Sequence, residues 1–156
     1  MSLLFRIVDQ VLRVDDTRNS TEGVAHKYDA FLNLLCADSY AFQREAVREA
    51  CRFLVSDKYP DLERLARENW NAGESIKQRH ESLDAYLDKM PLRDRKAVSI
   101  DLATGTGKSF VMYALAAIVL GEGLVDRVLV LCPSLTIEEG LLEKFSVLAG
   151  NNELAA

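Results

Sequence analysis

Residues 103–109 read Ala-Thr-Gly-Thr-Gly-Lys-Ser, between an apolar segment at 97–102 and an apolar run at 110–120. Glycine has no Cβ atom, so the backbone of such a loop can wrap closely around a ligand. Its N–H groups then point inward at the positive end of the following helix, which favours an anion. This stretch therefore predicts a phosphate-binding loop between a strand and a helix. The alternative is a chance glycine-rich turn.

The side chains of the loop suit a nucleoside triphosphate, and we predict ATP as the cofactor. The ammonium of Lys108 would reach the β- and γ-phosphates, and the hydroxyl of Ser109 would ligate Mg²⁺. Both residues are therefore candidate catalytic residues, with Ser109 as the magnesium ligand. The ATP-binding residues predicted in the loop are Thr104, Gly105, Thr106, Gly107, Lys108 and Ser109.

The order of segments from residue 96 onward predicts an α/β fold with a parallel sheet and flanking helices. Residues 97–102 read as a strand, and 110–120 read as a buried helix that ends at the glycines after it. Val128–Leu131 is a continuous apolar run of the kind found in parallel strands buried on both faces. A last helix starts at Thr136, where a glutamate three residues later gives capping-box spacing.

The chain ahead of this βαβα unit is helical in pattern. We predict a helical N-terminal region at 1–39, a further helix at 40–56, and a helical insertion at 57–95. The insertion reads as a hairpin, with one helix around 62–70 and one around 76–90 that Pro91 closes. Residues 96–156 form the nucleotide-binding part.

Composition excludes several classes of protein. The 156 residues carry a formal net charge of −5, from 19 Lys+Arg against 24 Asp+Glu, which disfavours a protein that coats nucleic acid but not a local basic groove. The cysteines stand at 36, 51 and 132 without a C-x-x-C pair, so we expect no zinc or disulfide framework. No signal peptide is recognisable, and the run at 110–120 is about half of the roughly 20 residues that span a bilayer. A reduced, cytoplasmic compartment without a membrane partner is the expectation.

The stretches DLATGTGKS at 101–109 and VLVLCPSLTIEEGLLEKF at 128–145 resemble the ATPase core of superfamily 2 helicases. Within that group they look most like the Res subunits of type III restriction enzymes. The full G-x-x-x-x-G-K-[ST] pattern requires glycine where this chain has Leu102, and this departure suits helicases better than small kinases. The resemblance implies a RecA-like lobe that starts at residue 96 and is incomplete at 156. It also implies ATP with Mg²⁺, and DNA as a partner.

Residues 40–46 are similar to the aromatic-Gln element that precedes the phosphate loop in this family. A glutamine amide donates and accepts at once, so Gln43 could pair with the N6 and N7 edge of adenine and select ATP. The alternative for Gln43 is a solvated residue on a helix.

Residues 133–136 are similar to the family's next motif, a strand-to-helix turn that touches the nucleic-acid backbone. Hydroxyls and helix N-terminal N–H groups suit phosphate contacts that carry no sequence information. The candidate nucleic-acid contacts are Pro133, Ser134 and Thr136. Plain capping of the helix by Thr136 is the alternative.

The resemblance also implies a D-E-x-[HD] box and arginine fingers, and nothing after Thr136 supplies them. We therefore expect the N-terminal part of a DNA helicase or translocase of restriction-enzyme type, which would couple ATP hydrolysis to DNA movement. Further helicase lobes and methyltransferase or specificity subunits would complete it, and this chain alone would bind nucleotide weakly with negligible turnover. The alternatives are a non-catalytic interaction or regulatory module and a different phosphate-loop enzyme such as a nucleotide kinase.

Overall fold

The computed structural model describes residues 12, 14, 27–36 and 40–154 of the chain. Regular structure in these ranges is helical, and the helices are α1 (Asp29–Leu35), α2 (Ala41–Leu54), α3 (Leu62–Ala72), α4 (Glu74–Arg79), α5 (Leu83–Leu87), α6 (Lys108–Gly121) and α7 (Leu135–Ala149). Most of the helical N-terminal region predicted at 1–39 lies outside the described residues.

The parallel sheet of the predicted RecA-like α/β fold is wrong for the described part of the chain, which contains no strand. A strand requires a hydrogen-bonded neighbour. No backbone hydrogen bond joins 97–102 to 128–131, and both segments are irregular. Ile100 and Leu102 pack sideways against the helical core, whereas Leu129 and Leu131 are 81% and 82% exposed. The apolar composition of these two segments predicts strands, but they do not pair with each other.

The main core lies where α2 packs across α6, with α1 against both. Helix α6 is apolar on all sides, yet it buries one stripe, formed by Val111, Ala114 and Ile118 at helical spacing. The buried partners on the other helices include Val47 and Cys51 of α2. The predicted helix at 110–120 is thus confirmed, but it is buried on one face only. This packing fixes α6, whose N-terminus begins at Lys108.

A second group of helices, α3 to α5, occupies the predicted insertion. The helix predicted around 62–70 is confirmed as α3, whereas the one predicted around 76–90 is two short helices. Ser82 begins the second of them, because its side chain accepts a hydrogen bond from the backbone N–H of Ala85 at 3.1 Å. The last helix of the group ends at Leu87, so Pro91 is not its terminator.

Lys96 connects the insertion to the core. Its ammonium donates to the backbone carbonyls of Leu54 and Ser56, at 3.0 and 2.7 Å, and so caps the C-terminal end of α2. Burial lowers the pKa of Lys96. The segment that leads into the loop at 103–109 is therefore anchored at the end of α2.

The far end of α6 is held by a polar contact with the region around α1. Glu122 accepts hydrogen bonds from the Lys27 ammonium at 2.7 Å and the Tyr28 hydroxyl at 2.6 Å. These two bonds, that of Lys27 first, lower the pKa of Glu122 below its ordinary value. Burial, followed by the bond to Glu122, raises the pKa of Tyr28 to about 12. The ionised carboxylate therefore stabilises the packing of α1 on α6.

Replacing Glu122 with glutamine is expected to reduce the acid sensitivity of the fold. Because the pKa of Glu122 is lower in the folded chain, its contribution is present above the ordinary carboxyl pKa and is lost as pH falls through the folded value. The measurement is the change in thermal midpoint between about pH 7 and about pH 4, which should be smaller in Glu122→Gln than in the parent chain. Glu139→Gln, an exposed substitution on α7, is the control. Equal acid sensitivity in the parent and in Glu122→Gln would contradict the role of this carboxylate.

Candidate functional site

The loop at 103–109 is a tight turn immediately before α6. Gly105 and Gly107 have φ angles of 80° and 75°, the left-handed region that side chains with a Cβ disfavour. Thr106 closes the turn, because its backbone N–H and its hydroxyl both donate to the carbonyl of Ala103, at 3.4 and 2.6 Å. The conformation therefore depends on glycine at both positions.

The backbone of this turn offers donors to a ligand. Within residues 40–154, no acceptor pairs with the backbone N–H groups of Gly105, Gly107, Lys108 and Ser109. A Cβ built on Gly105 would meet no atom within 4 Å, so the outer side of the turn is open. Unpaired N–H groups at the start of the 14-residue helix α6 suit an anion of the size of a phosphate.

Lys108 extends over this turn. Its side chain is exposed, and its Nζ donates to the carbonyl of Ala103 at 3.2 Å. Among the described residues no carboxylate forms an ion pair with it. The positive charge of Lys108 is thus free to move to an anionic ligand.

Ser109 has a partner that sequence analysis missed. Its Oγ accepts a hydrogen bond from Nζ of Lys144, on α7, at 3.0 Å. The same ammonium lies 4.6 Å from the ring centroid of Phe110. No local spacing relates residues 109 and 144, so only the packing of α7 on α6 reveals the pair.

Gln43 reaches the loop from α2. It is 2% exposed, and its Nε2 donates to the carbonyl of Thr106 at 2.5 Å. The alternative of a solvated helix residue is therefore wrong. A Cβ on Gly107 would overlap this amide, so the glycine and the glutamine fit against each other. The packing of α2 on α6 brings them together across 63 positions of sequence.

The turn at 133–136 is a separate surface. Ser134 caps α7, because its Oγ accepts from the backbone N–H of Ile137 at 3.4 Å and the helix begins at Leu135. Capping by Thr136, one of the alternatives above, is wrong, since Thr136 lies within the first turn of the helix. Pro133, Ser134 and Thr136 are all exposed. They leave the beginning of a 15-residue helix open to a partner.

Two further properties bear on the classes of site. The part of the chain that the structure describes holds no group of three or more His, Cys, Asp or Glu side chains able to bind a metal ion. No helix in that part is long and apolar enough to cross a membrane. A metal ion at Ser109 would therefore need ligands from the nucleotide and water, which is usual for Mg²⁺.

Comparison with known proteins gives one family. The model of the family described as type III restriction enzyme, res subunit, matches residues 39–155, which include α2, the loop and α7. No curated protein and no solved structure matches the chain.

Proposed function

The chain belongs to the family of type III restriction enzyme res subunits, and on that premise we propose that the turn at 103–109 binds the phosphates of ATP with Mg²⁺. The family indicates a helicase-like, ATP-dependent function of restriction-enzyme type. The observation that carries the proposal is the turn itself, with two left-handed glycines and unpaired N–H groups at the start of α6. Binding of ATP that depends on Lys108 is the test.

The residues of the turn have distinct roles in this proposal. The N–H groups that follow Gly105 surround the β-phosphate, and Lys108 leaves the Ala103 carbonyl for the β- and γ-phosphates. The hydroxyl of Ser109 provides a ligand for Mg²⁺. The metal, when bound, neutralises charge on the two terminal phosphates. Gln43 holds the Thr106 carbonyl and keeps the turn in register with α2.

Gln43 also selects adenine in this proposal. Its Nε2 is engaged by Thr106, which leaves Oε1 to accept a hydrogen bond from the N6 amino group of adenine. Guanine presents an acceptor at the equivalent position and would be disfavoured. The glutamine thus connects base recognition to the phosphate turn through its two amide atoms.

Replacing Gln43 with alanine is expected to lower the ratio of ATP to GTP affinity by about tenfold, the size of one hydrogen bond to a base. Equilibrium binding of both nucleotides in the presence of Mg²⁺ measures the ratio. Gln78→Ala, an exposed substitution on α4, is the matched control. If Gln43→Ala weakened ATP and GTP by equal factors, Gln43 would support the turn without reading the base.

The exposed turn before α7 is proposed to contact the phosphates of DNA. Ser134 and Thr136 present hydroxyls, and the first backbone N–H groups of α7 lie at the positive end of that helix, which favours a phosphate. Pro133 shapes the approach to the helix. In this proposal the ATPase acts on DNA together with further helicase lobes and methyltransferase subunits, and ATP hydrolysis drives movement along the duplex.

A second candidate function is a non-catalytic interaction module. It is favoured by the large apolar side chains that are exposed in the connection after α6 and on α7, since exposed apolar surface commonly marks an interface. They are Leu124, Val125, Val128, Leu129, Leu131, Leu135, Ile137, Leu142 and Val147. An interaction module would bind its partner equally well with Lys108 replaced, whereas a nucleotide-driven protein would not.

A further inference from the structure

Lys144 lies beside Ser109 at the proposed phosphate site, although it belongs to a different helix. Its Nζ is 3.0 Å from Ser109 Oγ, the atom proposed to ligate magnesium. The ammonium is half-buried and is held against the ring of Phe110, with its Nζ 4.6 Å from the centroid. The edge-on contact of Tyr113 with Phe145, with 5.4 Å between centroids, keeps α7 on α6 at this level. The position of Lys144 is therefore set by packing on both sides.

Among the described residues, Lys144 has no carboxylate as a counter-ion. Its described contacts are a neutral hydroxyl and an aromatic ring, and no carboxylate of the described residues forms an ion pair with it. A partly buried ammonium without an opposite charge beside it loses part of its solvation, and no ion pair compensates for that loss. An anion between Lys144 and Lys108 would supply the missing charge.

A magnesium ion and the Lys144 ammonium compete for the position beside Ser109 Oγ. The hydroxyl oxygen has two acceptor lone pairs, so it is the positive charges of the two cations, and not the lone pairs, that conflict at this position. A divalent ion at bonding distance from Oγ would lie within a few ångströms of the Lys144 nitrogen, where like charges repel strongly. When one of the two cations occupies this position, it therefore disfavours binding of the other.

We propose that the Lys144 ammonium is a built-in counter-cation at Ser109, which neutralises a bound polyphosphate without metal and gives way to Mg²⁺. The inference rests on the proposed nucleotide function and adds a residue and a metal dependence to it. The ligand is a nucleoside triphosphate in its metal-free form. Lysine and magnesium occupy the Ser109 position in turn.

The test compares the Kd of a fluorescent ATP analogue with EDTA and with excess MgCl₂. The variants are Lys144→Met, which keeps the apolar stem without charge, and Lys144→Arg, which keeps the charge. Lys89→Met is the matched control, because Lys89 is exposed and its substitution changes the net charge equally. Thermal melting of each variant checks that α7 remains packed.

In EDTA we expect Lys144→Met to bind the analogue about tenfold more weakly than the parent chain, the effect of one charge-assisted hydrogen bond. In MgCl₂ the affinity of Lys144→Met for the analogue should equal or exceed that of the parent chain. In a titration with Mg²⁺, Lys144→Met should reach half of the full effect on analogue binding at a lower Mg²⁺ concentration. Lys144→Arg and Lys89→Met should follow the parent chain in both conditions.

An equal change of Kd in Lys144→Met with and without Mg²⁺, or no change in either, would overturn the inference while nucleotide binding by the turn stands. Failure of the parent chain and all variants to bind the analogue in both conditions would overturn the proposed function, and the inference with it. Nucleotide binding that Lys108→Ala abolishes, together with the same Mg²⁺ requirement in all Lys144 variants, would reject the counter-cation alone.

Discussion

Replacing Lys108 with alanine is expected to weaken ATP binding by about 100-fold. Lys108 supplies the flexible positive charge of the turn, and charge-assisted hydrogen bonds to two phosphates account for a loss of this size. The side chain is exposed and its described hydrogen bond is to the carbonyl of Ala103. The substitution should therefore leave the fold unchanged, so that the loss reports on binding.

The measurement is the Kd of ATP with Mg²⁺, with the thermal midpoint recorded beside it. Lys89→Ala removes an equal charge from an exposed position outside the turn and should bind as the parent chain does. A Kd for Lys108→Ala within about threefold of the parent value would exclude the turn as the phosphate site, since an effect that small is below one hydrogen bond. It would favour the interaction module.

Replacing Gly107 with alanine is expected to destabilise the chain by about 3 kcal/mol, or to lower its thermal midpoint by about 10 °C. The φ angle of 75° disfavours any residue with a Cβ. The added methyl group would also overlap the buried amide of Gln43 and lies 3.1 Å from Phe110 Cδ2. Relief requires α2 and α6 to separate or the hydrogen bond between Gln43 and Thr106 to break.

Alanine substitutions at two other glycines distinguish backbone strain from steric overlap with Gln43 as the cause of this loss. At Gly105 the φ angle is 80° but the Cβ position is open, so Gly105→Ala should cost only the backbone strain of about 1–2 kcal/mol. At Gly140, inside α7, the Cβ position is also open and the conformation is helical, so alanine should stabilise by about 0.5–1 kcal/mol. Equal melting of Gly107→Ala and Gly105→Ala would show that Gln43 does not constrain the turn.

Local sequence pattern predicts several of the helices that position the site. Apolar spacing predicts α2 and α3, and a continuous apolar run predicts α6; each helix begins and ends within a few residues of the expected position. The signals of α2 and α3 are strong because one face of each helix must be buried, and the 3.6-residue period places the apolar residues on that face. The sequence predicts one helix where the structure has the two short helices at 74–87, because the break at Ser82 depends on a cap rather than on the apolar pattern.

The parallel sheet that the sequence predicts is wrong for the described residues. The apolar runs at 97–102 and 128–131 have the composition of buried strands, but a strand forms through hydrogen bonds to another segment. The described chain places Leu102 against helices and leaves Leu131 exposed, without a bond between the two segments. Composition indicates that a segment is apolar, whereas its pairing depends on what else packs beside it.

The sequence by itself determined which groups residues 103–109 carry, namely two glycines that can adopt left-handed backbone angles, a lysine ammonium and a serine hydroxyl. Only the tertiary structure decided that Gln43 is buried against Thr106 and that Lys144 donates to Ser109. These pairs are separated by 63 and 35 positions, so no local periodicity encodes them. Helix packing brought them together, since the faces that α6 presents to α2 and α7 are set by burial of its apolar surface.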